Sequence, residues 1–282
     1  MCVKKRRLPS WFKMQRAAGE NYTAIKKIVE ANGLHTICAS GNCPNIGECW
    51  NKGVATFMIL GEICTRACKF SATKTGRPLP PDPDEPYRLA QAIKVLNLKH
   101  CVITSVDRDD IYDKGSGHWA EAVTQIKKVN NNITIECLIP DFDGNKSFIG
   151  KIIDSKPEII SHNIETVQRL TPLIRTKANY DRSLGVLTYI SQAGITAKSG
   201  FMLGLGETDE EIKQTIYDVF NSGCRILTIG QYLQPSFEHL EVVKYYTPEK
   251  FEEYKQIALN TGFEFVESGV LVRSSYHAEK HV

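Results

Sequence analysis

The chain has 282 residues, 42% of them hydrophobic and 24% charged, with a formal net charge of +3. That is the composition of an ordinary soluble globular protein, and the charge is too small to argue for a nucleic-acid partner. No apolar segment reaches the length of a membrane span, so a cytoplasmic protein without membrane attachment is expected; the length suits one α/β barrel domain.

The first fifteen residues are basic at Lys4, Lys5, Arg6 and Arg7, and no signal-like apolar run follows. They read as a solvated tail. Three cysteines come next, Cys38, Cys43 and Cys49, spaced Cys-x4-Cys-x5-Cys. From about residue 55 short apolar runs alternate with amphipathic ones. The first run, Thr56 to Leu60, is followed by Cys64 and Cys68, spaced Cys-x3-Cys, and then by Ser71. Further strands are expected at Cys101 to Val106, Ile133 to Ile139, Ile159 to Asn163, Thr196 to Leu203 and Ile226 to Leu233. They are short, apolar and β-branched, as buried parallel strands are.

Helices are expected between them, at Tyr87 to Leu96, Trp119 to Val129 and Ser183 to Ala193, the last closed by Gly194. Thr208 to Asn221 opens Thr-Asp-Glu-Glu, and Thr247 to Asn260 opens Thr-Pro-Glu-Lys; both openings are helix starts. Repeated βα units imply right-handed crossovers. The expected fold is α/β, a partial (β/α)6 parallel barrel. An extension over residues 1–54 carries the first three cysteines, the barrel covers 55–262, and a C-terminal extension covers 263–282.

Five of the nine cysteines lie between residues 38 and 68. Thiolates so close in sequence can converge on a soft metal centre without a long loop closing first. Three thiolates on a four-iron cluster leave one iron open. The pattern therefore points to two iron–sulfur sites, one with its three cysteines and one in which Ser71 stands where the third is needed. Zinc sites usually use two close pairs, which a count of three plus two does not supply. Disulfides need an oxidising compartment. Cys101, Cys137 and Cys224 sit in or beside apolar segments and read as small core residues. Cys2 falls in the tail and has no assigned role.

Cys64-Thr-Arg-Ala-Cys68-Lys-Phe70-Ser71 resembles the radical S-adenosylmethionine motif with its last cysteine replaced. The stretch from Leu34 through Cys38, Cys43 and Cys49 to Trp50 resembles the second-cluster motif of the lipoyl synthase family. Arg273-Ser274-Ser275-Tyr276-His277-Ala278 resembles a third signature of that family. The likeness runs from about Pro9 to Ala278.

The resemblance implies insertion of two sulfur atoms, at carbons 6 and 8, into an octanoyl chain amide-linked to a lysine of a lipoyl carrier domain or the glycine cleavage H protein. It implies two 4Fe–4S clusters, S-adenosylmethionine, and a ferredoxin- or flavodoxin-type electron donor. Cys64 and Cys68, with Ser71 in the third place, would hold the radical cluster. Cys38, Cys43 and Cys49 would hold the second, which donates sulfur. Ser274, or alternatively Ser275, would complete that cluster through oxygen. An unactivated C–H bond has no acidity for a base to use, so the cofactor must supply a radical.

The resemblance also places Phe70, Asp107, Asn163, Glu165 and Gly204 with the cofactor, and Arg182 on its methionine carboxylate, where a planar fork fits. Ser71 departs from the family. Its hydroxyl is a weaker acid than a thiol and a harder ligand, so an impaired radical site is expected. Two other readings stay open on the sequence: another radical sulfurtransferase, of the biotin-synthase kind, or a non-catalytic protein that binds a cluster or a carrier. The cysteines preceding the radical motif and Arg273 to Tyr276 argue against the former. Ser71 alone supports the latter.

Overall fold

The computed structural model describes residues 8–13, 18–52 and 54–281. Cys2 and the basic run Lys4 to Arg7 lie outside these residues. Helix α1 (Glu20–Ala31) leads into a two-residue strand β1 (His35–Thr36), and the short helices α2 (Ile37–Ser40) and α3 (Ile46–Asn51) carry the first cysteines. Strand β2 (Thr56–Ile59) begins the barrel, and a small pair, β3 (Ile63–Cys64) and β4 (Lys74–Thr75), brackets the second cysteine run. Then β5 (His100–Ser105), β6 (Thr134–Leu138), β7 (Ile159–Ser161), β8 (Thr196–Leu203), β9 (Ile226–Gln231) and β10 (Phe265–Gly269) alternate with helices. These helices are α4 (Glu85–Val95), α5 (Ser116–Val129), α6 (Lys146–Asp154), the short α7 (Thr171–Ile174), α8 (Tyr180–Gln192), α9 (Asp209–Asn221) and α10 (Pro248–Thr261).

The main sheet runs β1-β2-β5-β6-β7-β8-β9-β10, parallel throughout except that β1 pairs antiparallel with β2. All six expected strands are present. A seventh parallel strand, β10, pairs with β9 from Phe265↔Ile226 to Gly269↔Gly230. A boundary at residue 262 therefore falls between α10 and the strand it delivers to the sheet. Phe265–Gly269 contains Glu and Ser and only two large apolar residues, too few to signal a buried strand by composition. Helices α1 and α6, with the short α2, α3 and α7, are additions to the expected set.

Local signals explain the elements found as expected. Thr208 Oγ1 accepts from Glu211 N while the Glu211 carboxylate accepts from Thr208 N, a complete capping box on α9. Thr247 caps α10, whose first turn contains Pro248 and whose end is turned by Gly262 at φ 118°. The barrel strands are buried almost without exception, with Cys101 and Cys137 fully inside.

The interior is not wholly apolar. Lys198 Nζ on β8 pairs with Glu136 Oε2 on β6 at 2.8 Å, and Ser161 Oγ on β7 donates to Glu136 Oε1 at 3.0 Å. Such a pair is tolerable inside because each charge is met. From Gly269 the chain passes Ser274 and returns to the far end of the sheet. There His281 packs on Phe265 and lies 3.4 Å from Lys198 Nζ. No helix among the described residues is long and apolar enough to cross a membrane.

Candidate active site

Loops after the C-terminal ends of the strands enclose one cavity of about 950 Å³, the usual place for a site in a parallel barrel. Cys38, Cys43 and Cys49 line it, and so do Cys64, Cys68 and Ser71. Ser274 and Ser275 open onto the same space, with Phe70, Asp107, Asn163 and Glu165. Two cysteine groups, one preceding the barrel and one following its first strand, thus face a common chamber.

Cys64 ends β3. Its sulfur accepts from Arg66 N at 3.4 Å and Asp107 N at 3.3 Å, and its thiol faces Asp107 Oδ2 at 3.6 Å. Burial and the Asp107 charge push the thiol up to about 11, and the two amides oppose them. Cys68 is also raised by burial. In the other group burial pushes Cys38 up to about 11, and burial with Cys38 and Cys43 pushes Cys49 up to about 12. Thiols raised this way become ligands when a metal displaces their protons to solvent.

The loop bearing Cys64 and Cys68 is bolted to the strand ends by one buried arginine, 5% exposed. Arg66 Nε and Nη2 hold Asp109 at 2.8 and 3.0 Å, and Nη1 holds Asp141 at 2.8 Å. Asp107 lies 3.4 Å from Nε, and Asp143 lies 3.4 Å from Nη2. Despite Arg66, burial keeps the Asp107 carboxyl above its ordinary value. Arg66 was not singled out from the sequence. Its only signal is that it sits between two cysteines and precedes an Asp-Arg-Asp-Asp run.

Two expected cofactor residues are placed elsewhere. Arg182 does not line the cavity; its Nη1 is taken by Asp143 at 3.1 Å and Asp141 at 3.3 Å, beside a separate small cleft under α6 and α8. Helix α8 begins at Tyr180, and its first turn directs Arg182 toward the loop after β6. Gly204 is also one layer back. At φ 108°, a Cβ there would lie 2.1 Å from Gln231 Nε2 and 2.7 Å from the Lys244 carbonyl. The close approach is to the protein's own Gln231, which does line the cavity.

The buried arginine whose charge reaches Cys68, Glu165 and Asp107 is Arg175. Arg175 Nη1 donates to Ile164 O at 3.3 Å and Ser183 Oγ at 3.2 Å. Ser183 in turn donates to His162 Nε2 at 3.0 Å, and His162 Nδ1 donates to Ile139 O at 2.9 Å, which fixes the ring tautomer. Arg175, like Arg182, is not itself among the cavity-lining residues, and its charge reaches them from one layer back.

Burial, with Arg175 nearby, pushes His162 down to about 4 from its ordinary 6.5. The unfolded chain therefore takes up a proton that the folded chain refuses. Stability falls as pH drops below about 6.5 and stops falling near 4. His162 alone is expected to weaken the fold by about 2 kcal/mol between pH 7 and pH 5. Urea unfolding at the two pH values, compared with His162→Gln, measures this; equal losses in both proteins would remove His162 as the cause.

Residues 58–219 match the Radical SAM superfamily model. Lipoyl synthase of Bacteroides fragilis (strain YCH46) is 57% identical over 279 residues, covering 99% of this chain and 97% of that protein. Lipoyl synthase of Phocaeicola vulgatus is 57% identical over 274 residues, covering 97% and 96%. The chain belongs to the lipoyl synthase family. Among solved structures, Streptococcus suis SuiB bound to S-adenosylmethionine superposes with a TM-score of 0.60 at 12% identity, covering 79% of this chain and 54% of SuiB. That likeness is one of fold.

The donors present fit the clusters that a lipoyl synthase uses. Trp50 Nε1 is buried without an ordinary hydrogen-bond partner, yet lies near enough to Cys38 to favour its thiolate. Arg273 lies beside Cys43 and, among the described residues, donates to the carbonyls of Val272 and Gln231. An orphan donor and a half-buried cation near thiols suit an anionic, sulfur-rich group. Among the described residues no three His, Cys, Asp or Glu side chains are set to grip a single ion. A cubane places each thiolate on a different iron, so its ligands stand farther apart. The radical group is one thiolate short. Ser71 Oγ donates to Thr73 Oγ1 at 3.1 Å and accepts from Thr73 N at 3.2 Å.

Proposed function

We propose that this chain is built to insert two sulfur atoms, at carbons 6 and 8, into an octanoyl chain carried on a protein lysine, with the radical step impaired by Ser71. The observation that carries this reading is the single chamber lined by both cysteine groups. Its remaining wall is largely apolar, including Met58, Leu138, Met202, Tyr232, Val242 and Tyr245, which suits an alkyl chain. Octanoylated lipoyl domains or the glycine cleavage H protein are the expected carriers, and a ferredoxin or flavodoxin the expected electron donor.

Cys64 and Cys68 would hold the radical 4Fe–4S cluster, and Cys38, Cys43 and Cys49 with Ser274 the second. Together with S-adenosylmethionine, such groups supply hydrogen abstraction by an adenosyl radical and a source of sulfide. The chain's own contribution is placement. Arg66 ties the Cys64–Cys68 loop to β5 and β6. Arg175 sets a positive charge near Glu165 and Cys68, where a cofactor carboxylate is expected. Glu165 holds a left-handed backbone, φ 68°, that turns it at the strand end while its N–H reaches Gly200 O at 3.1 Å.

The test uses Ser71→Cys protein with S-adenosylmethionine, reductant and a peptide bearing octanoyl-lysine. Two sulfur atoms are expected in the product. Adding Cys38→Ala, Cys43→Ala and Cys49→Ala should preserve 5′-deoxyadenosine formation and abolish sulfur insertion. Insertion that persists in this variant would overturn the donor assignment.

A further inference from the structure

We propose that Asn163 is a positioning residue for Ser274, holding its oxygen turned into the chamber where it can bind iron. The inference rests on the reading of Ser274 as the oxygen donor beside Cys38, Cys43 and Cys49. Asn163 follows β7 and Ser274 follows β10, so the two meet across the mouth of the barrel. Asn163 Nδ2 donates to Ser274 Oγ at 2.6 Å, and both residues line the chamber.

The serine's backbone is held by other means. Asn45 Nδ2, next to Cys43, donates to Leu271 O at 2.6 Å. Arg273 Nη1 donates to Gln231 O at 3.2 Å, and Tyr276 Oη donates to the Glu48 carboxylate at 3.3 Å. The Asn45 and Tyr276 bonds bring residues 271–276 against the helix of Cys49, and the Arg273 bond ties them to β9. Asn163 acts on the hydroxyl alone.

The amide is itself held in place. It lies near the Glu165 carboxylate, whose charged form it favours. A Cβ on Gly200 would approach Asn163 Oδ1 to 3.2 Å and Thr228 Oγ1 to 2.2 Å, so glycine leaves the amide its place. An N–H donor aimed at an oxygen fixes the direction of that oxygen, and it stays in place when the oxygen becomes a ligand. When Ser274 binds iron its O–H bond breaks, the electron pair enters the O–Fe bond, and the proton leaves to water. No electron is gained or lost. An amide donor already aimed at the oxygen keeps it turned into the chamber throughout.

The experiment uses the full chain with Cys64→Ala and Cys68→Ala, reconstituted without oxygen from ferrous iron and sulfide. S-adenosylmethionine is omitted, so any role of Asn163 in cofactor binding does not enter. The readouts are the rate of iron removal by a ferrous chelator and the Mössbauer signature of the oxygen-bound iron. Asn163→Ala and Asn163→Asp are each expected to speed removal about tenfold. Ser274→Ala should do at least as much, and Asn163→Ala with Ser274→Ala should be no faster than Ser274→Ala alone. Asn163→Asp keeps the shape and removes the donor, so it decides the matter if the alanine variant does not fold. Parent-like rates in both Asn163 variants, with Ser274→Ala fast, would overturn this proposal and leave the ligand reading standing. Parent-like rates in Ser274→Ala would overturn the ligand reading itself.

Discussion

Ser71→Cys is expected to raise reductive cleavage of S-adenosylmethionine on the order of 100-fold or more above the unaltered chain. Changes to the surroundings of a metal ligand cost about 10–100-fold, and the loss of a ligand should cost more. The position is right for sulfur. Ser71 lines the chamber, and its N–H bonds the Cys68 carbonyl at 3.2 Å, so the loop holds both side chains at one turn. The chemistry is wrong, because the hydroxyl is a weak acid already engaged with Thr73. Iron content, the spectrum of the reduced cluster and 5′-deoxyadenosine yield measure the change. Equal yields from the two proteins would show that the serine oxygen serves as a working ligand.

Arg66→Ala is expected to destabilise the fold by about 3–5 kcal/mol, the cost of stripping the partner from buried charges. Asp109 and Asp141 are held below the ordinary carboxylate range, by the Arg66 bond in the first and by its charge against burial in the second. Without the guanidinium they must stay charged and unmet or take up protons. Arg66→Lys retains one charge but cannot reach Asp107, Asp109 and Asp141 together, so an intermediate loss is expected. Urea unfolding of the reduced, metal-free proteins near pH 7.5 gives the values. A loss below about 1 kcal/mol for the alanine variant would mean that the four carboxylates are satisfied without Arg66.

The residues themselves determined much of this protein. The spacings at Cys38, Cys43 and Cys49 and at Cys64 and Cys68 are local, so they announce a soft-metal chemistry before any fold is known. The six apolar strands and the helix starts at Thr208 and Thr247 are local as well. A period, a cap or a breaker acts within a few residues. Ser71 is visible as a departure for the same reason. The tertiary structure decided what depends on distant partners. It placed Phe265–Gly269 in the sheet, because pairing with β9 outweighs a weak pattern. It turned Arg182 to Asp141 and Asp143, because α8 begins at Tyr180, and it put Arg175 near Cys68, at the end of α7. It joined Asn163 to Ser274 across 111 residues, which no spacing could foretell, because only the closing of the barrel brings β7 and β10 to one chamber.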